Sequence, residues 1–262
     1  MTSYLPDIFR RNAEKSPSHD FLVEDRQVAL SYAQAYSLAV GLLPNRLLRL
    51  HPQLAESANA NVVVILSPNN ALIPLALFAL WALGAKVVPL STVADPSLWA
   101  GMINLVCPEL ILVAPNLRNS LTHSLKEYSL HTKYSAIIDI STLVPEEYLS
   151  PFLKSAPDRV SNYIPACKRW LDHELQSFTS APTLKFSTSF SIESDTPAIT
   201  LFTSSAVDWS SLKCVTYTHT MLAHSGRRAM LMLGGSSYES KPKRHLGWLP
   251  LSHCFEFCIT LW

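Results

Sequence analysis

Glycine is scarce in this chain: seven residues in 262. Glycine-built nucleotide loops need several within a few positions, because glycine alone reaches positive φ and close backbone approach at no steric cost. None of the patterns Gly-x-Gly-x-x-Gly, Gly-x-x-x-x-Gly-Lys-Ser/Thr or Gly-x-Ser-x-Gly occurs, so three common catalytic turns are excluded. An excess of one charge sign is also missing. Lys and Arg number 21 against 20 Asp and Glu, a formal net charge of +1. That gives no electrostatic case for nucleic acid or an acidic membrane surface as partner. The densest basic cluster, Lys241-Pro-Lys-Arg244, reads as a solvated turn. Five cysteines (107, 167, 214, 254, 258) are odd in number and scattered, with no signal peptide ahead of them. Reduced thiols in a cytoplasmic setting are therefore expected, not a disulfide scaffold. Long apolar runs are lacking too: the longest, 71–83, contains Pro74 and falls short of the ~20 residues a membrane span needs.

What the chain does have is 48% apolar residues in alternating patterns. Leu5, Ile8, Phe9 and Ala13 recur at helical spacing. Phe21–Val23 and Gln27–Leu30 read as short strands around a turn at 24–26. Ser31-Tyr-Ala-Gln34 fits a capping box, starting a helix with Tyr32, Ala35, Leu38, Ala39 and Leu42 on one face. Pro44 marks the expected end or kink of that helix. Val62–Leu66 is a continuous β-branched run suited to a parallel strand covered on both faces. A buried helix over 71–83 follows, closed by Gly84 at a position needing positive φ, and Lys86–Leu90 returns as a strand. A helix near 95–106 and strands at Leu110–Val113 and Ala136–Ile140 continue the alternation. Helical stretches are possible around Val144–Leu153 and Ala166–Leu175, and 177–197 is a Ser/Thr/Pro-rich loop. The fold class is α/β, with a largely parallel sheet flanked by helices.

The segment Leu201-Phe-Thr-Ser-Ser-Ala-Val-Asp-Trp-Ser-Ser-Leu-Lys213-Cys-Val-Thr-Tyr-Thr-His219 resembles the phosphate-gripping signature of the adenylate-forming (AMP-binding) enzymes. These include acyl-CoA synthetases, luciferases and peptide-synthetase adenylation domains. Phe202, Thr203 and Ser204 open the signature, and Lys213, Val215, Thr218 and His219 close it. Two further blocks are similar to the family: Leu30–Gln34, and the unit 62–90 with its Pro68-Asn69, Gly84-Ala85 and Val88-Pro89-Leu90. A fourth stretch, Trp248–Glu256, resembles the element that lines the acyl pocket.

The resemblance implies that residues 1–262 are part of the large N-terminal domain of such an enzyme, without its C-terminal subdomain. It implies an ancestral reaction in which a small-molecule carboxylic acid and ATP, with Mg2+, give an acyl-adenylate and pyrophosphate. Coenzyme A is the possible acyl acceptor in a full-length relative. Thr203, Ser204, Ser205 and Lys213 would meet the ATP phosphates, and His253 the acyl substrate. The alternatives are an ordinary polar turn at 203–213 and a half-buried His253. A metal at His253, Cys254 and Cys258 lacks a fourth ligand.

The departures matter as much. Ser205 and Cys214 stand where the family has glycine, the span from Ser204 to Lys213 is two residues longer, and no glycine lies in 203–213. Val207, Trp209 and Leu212 add bulk, and Glu256 replaces another glycine. A degenerate loop and weak phosphate affinity are the expectation, as are an inactive chain and self-association through an exposed sheet edge. Two other readings stand beside it: a non-catalytic remnant or interaction module, and an adenylation segment of a multidomain synthetase or carboxylate reductase.

Overall fold

The computed structural model describes residues 4–24, 28–55, 61–129, 136–149, 163–177, 195–203 and 211–232. Helix α1 (Leu5–Lys15) leads to a hairpin of β1 (Asp20–Glu24) and β2 (Val28–Ser31). The Ser31 capping box forms in full: the hydroxyl takes the Gln34 N–H at 3.3 Å, and the Gln34 carboxamide takes the Ser31 N–H at 3.1 Å. The helix it starts runs as α2 (Tyr32–Tyr36), a π-helical turn (Ser37–Leu42) and α3 (Leu43–Leu50). Pro44 therefore does not end the helix. The Leu43 N–H reaches back five residues to the Leu38 carbonyl, and this wider turn absorbs the proline, which has no N–H to donate.

The core is a six-stranded sheet in the order β6-β5-β3-β4-β7-β8. Its strands are β3 (Val62–Leu66), β4 (Lys86–Pro89), β5 (Leu110–Val113), β6 (Ala136–Asp139), β7 (Pro197–Phe202) and β8 (Cys214–Thr218). All neighbours pair parallel except β7 and β8. Period-two alternation divides each central strand between two cores. Val63, Ile65, Val87, Leu110 and Leu112 face one, with α4 (Leu72–Ala82), while Val64, Leu66, Val88, Ile111 and Val113 face the other, with α5 (Pro96–Val106) and α6 (Arg118–Glu127).

Every residue of α4 is buried, which explains its lack of a polar face: the sheet covers one side, and α1 and the α2–α3 helix pack on it as well. Gly84, at φ 77°, ends it. The Ala85 N–H reaches the Leu80 carbonyl and the Gly84 N–H the Trp81 carbonyl, each at 2.9 Å, the paired bonds of a Schellman closure. Of the helical stretch proposed at Val144–Leu153, the described part holds one 3₁₀ turn, Glu146–Tyr148. The stretch at Ala166–Leu175 lies within α7 (Tyr163–Ser177), and α8 (His219–Met232) follows β8. Most of the 177–197 loop lies outside the described residues. No described helix is long and apolar enough to cross a membrane.

Candidate functional site at the carboxyl edge of the sheet

The chain leaves β3 toward α4 on one face and leaves β4 toward α5 on the other. Adjacent strands whose exits diverge open a crevice at their carboxyl ends, the usual ligand position in open α/β sheets. Strand β7 runs parallel beside β4, with Val87 opposite Ile199, so Phe202 and Thr203 arrive at that same edge. The chain then turns and comes back antiparallel as β8, with Phe202 opposite Cys214.

At the mouth of this hairpin the Thr203 N–H donates to the Lys213 carbonyl at 2.9 Å. The Lys213 residue is exposed. The Thr203 Oγ1 is shielded from solvent and has no hydrogen-bond partner among the described residues. A shielded hydroxyl without a partner is costly and uncommon. Thr203 and Lys213 are thus brought together, whereas Ser204, Ser205 and His253 lie outside the described residues. Cys214 is an exposed free thiol at the first position of β8. Among the described residues, no three His, Cys, Asp or Glu side chains gather to hold a metal ion.

Behind the mouth the hairpin is well tied. Thr200 and Thr216 join hydroxyls across the strands at 2.8 Å, and Trp81 of α4 donates its indole N–H to the Ala198 carbonyl at 2.9 Å. Thr218 caps α8, its hydroxyl taking the Met221 N–H at 3.2 Å. Next to it, His219 is buried and its Nδ1 has no partner among the described residues. Sequence reasoning identified Thr203 and Lys213 from motif spacing but missed Trp81 and the threonine pair. The threonine pair becomes visible only once the β7–β8 register is known, and Trp81 only once α4 is packed on β7.

Removing the Thr203 hydroxyl tests its isolation. Thr203→Val keeps the shape and is expected to raise the unfolding free energy by about 1–2 kcal/mol, read from urea transitions at unchanged slope. A loss of stability would show that the hydroxyl is satisfied after all.

Comparison with known proteins places this geometry. The family model described as "AMP-binding enzyme" matches residues 9–262. Hispidin synthase of Neonothopanus nambi is 29% identical over 193 residues, covering 73% of this chain and 10% of that protein. Among solved structures, the inhibitor-bound N-terminal domain of FACL13 from Mycobacterium tuberculosis superposes with a TM-score of 0.68 at 17% identity, over 100% of this chain and 54% of its own. The o-succinylbenzoate CoA synthetase MenE of Bacillus subtilis, with its acyl-adenylate intermediate, gives 0.63 at 17% identity, over 97% of this chain and 52% of its own. The chain thus spans about half the length of these structures and a tenth of the curated relative. The family match runs through both the parallel sheet and the β7–β8 hairpin, and the chain belongs to the AMP-binding enzyme family.

Proposed function

We propose that the chain is part of a ligase that joins a carboxylic acid to ATP, its β7–β8 hairpin facing the nucleotide phosphates. The observation that carries this reading is the pairing of a Thr203 hydroxyl that has no partner among the described residues with an exposed Lys213 across one hairpin mouth at the carboxyl edge. In acid activation a carboxylate oxygen attacks the α-phosphorus, an acyl-adenylate forms and pyrophosphate leaves. Two anions must meet, so groups that neutralise and hold the phosphates lower the barrier. Thr203 Oγ1–H can donate to a phosphate oxygen, and Lys213 can add a mobile point charge. Mg2+, when bound with ATP, supplies further neutralisation of the phosphates. A thiol such as that of coenzyme A is the acceptor to which an acyl-adenylate is passed.

The grip is weak. The Thr203 N–H is spent on the Lys213 carbonyl, so it is not free for a phosphate. The loop from 203 to 213 has no glycine to turn further N–H groups inward.

The test is MgATP calorimetry on two proteins. One is the natural chain. The other lacks Asp208 and Trp209 and carries Ser205→Gly and Cys214→Gly. The natural chain is expected to show no saturable binding below ~1 mM, about −4 kcal/mol. The remodelled loop is expected to bind at least about tenfold tighter and to lose that gain on Lys213→Ala. If remodelling changes nothing, the hairpin is not the phosphate site. Micromolar binding by the natural chain would show instead that its loop is competent as it stands.

A further inference from the structure

His219, the first residue of α8, is 1% exposed. Its ring meets Tyr4 edge-to-face at 4.7 Å between centroids and Trp81 at 5.8 Å. Its backbone N–H goes to the Thr196 carbonyl at 3.3 Å, which ties α8 to the start of β7. The two aromatic neighbours are committed elsewhere: the Tyr4 hydroxyl donates to the Trp81 carbonyl, and the Trp81 indole N–H to the Ala198 carbonyl. Burial, with Asp7 adding, raises the Tyr4 phenol well above its ordinary range, so that hydroxyl stays a donor. The Nδ1 of His219 is left without a partner among the described residues.

We propose that His219 is an acid-sensitive latch, which joins the N-terminal segment to the base of the β7–β8 hairpin while neutral and opens when protonated. A proton on Nδ1 would create a buried cation whose new N–H finds no acceptor among the described residues. Aromatic faces attract cations, but neither ring offers a lone pair there, and a buried charge without a hydrogen-bond partner is expelled. Its departure breaks the contact with Tyr4 and frees the first turn of α8, which adjoins the hairpin.

Among the described residues, other charges do not offset this. Helix α4 carries none, and α1 presents Asp7, Arg10, Arg11, Glu14 and Lys15. Asp195 precedes β7, Tyr217 lies on β8, and His224, Arg227 and Arg228 follow on α8. Burial is the sole cause of the lowered pKa of His219, which falls from 6.5 to about 4. The group is depressed in the closed state, so the latch is fully closed above the ordinary value and loses strength as pH falls from 6.5 toward 4. The closing constant should fall on the order of 10²-fold across that window.

Hydrogen exchange, corrected for intrinsic rates, reads the opening directly. In the natural chain, protection of amides in 5–9 and 219–223 is expected to drop on the order of 10²-fold between those two pH values, while 63–66 in the central strand keeps its protection. His219→Gln is expected to flatten the dependence, and His219→Phe, which suits the apolar cage, serves if the Gln variant does not fold. An NMR titration of the His219 ring should find its midpoint near 4. An ordinary midpoint, an unchanged dependence in both variants, or parallel loss in the central strand would overturn the latch.

Discussion

Trp81→Ala is expected to lower the unfolding free energy by ~3–5 kcal/mol, the scale for deleting a buried large aromatic. Trp81 is 0% exposed, among the largest fully buried side chains of the described residues. It stands edge-on to Phe78 at 5.4 Å and 90°, and meets the His219 ring as well. Truncation leaves a cavity in a helix that packs against the sheet, with little freedom to collapse. It also strips the Ala198 carbonyl of its indole donor, which adds the cost of a lost buried hydrogen bond. Trp81→Phe separates the two parts. Most of the volume stays while the N–H goes, so a loss of about 1–3 kcal/mol is expected. Urea unfolding of both variants at pH 7 gives the comparison. A loss below 1 kcal/mol for the alanine variant would mean that α4 and β7 are not held together through this side chain.

The same residue shows what a single sequence reveals. Helix α4 was legible as a buried helix, because an uninterrupted apolar run ending in Gly84 has few other solutions. The Ser31 box and the run Val62–Leu66 were legible for the same reason: each is specified by neighbours in the chain. Helix α6 was not anticipated. Its sequence is mostly polar and presents little beyond Leu121 and Leu125 to the core, too thin a stripe to stand out. Pro44 was read as an end or a kink, and the π turn that carries the helix through it was not legible because it depends on a change of hydrogen-bond register, not on composition.

Site legibility followed the same division. Thr203 and Lys213 could be matched by spacing, but the use of the Thr203 amide by the Lys213 carbonyl follows from strand pairing. Thr218 was readable as a cap of the following helix. The isolation of His219 was not, since its surroundings come from Tyr4 and Trp81, distant along the chain.

Phe9→Ala is the second large effect, again ~3–5 kcal/mol. Phe9 is 2% exposed and stacks on Phe78 at 4.2 Å and 29°, with Phe21 at 4.7 Å, Tyr36 at 5.7 Å and Tyr32 at 6.3 Å. One ring thus joins α1, the β1–β2 hairpin and α2 to α4. Phe9→Leu, which keeps much of the apolar volume, is expected to cost clearly less than the alanine change. The more telling measurement is the double variant with Trp81→Ala. Phe78 touches both rings, so the first cavity loosens the residue that lines the second, and the losses should fall short of additivity by about 0.5–3 kcal/mol. Additivity within ~0.5 kcal/mol would show that Phe78 does not transmit strain between them. The coupling matters for the site because Trp81 is the side chain that α4 extends to the hairpin strand. A perturbation at the N-terminal helix then reaches the start of β7 at Ala198 through three packed rings and one hydrogen bond.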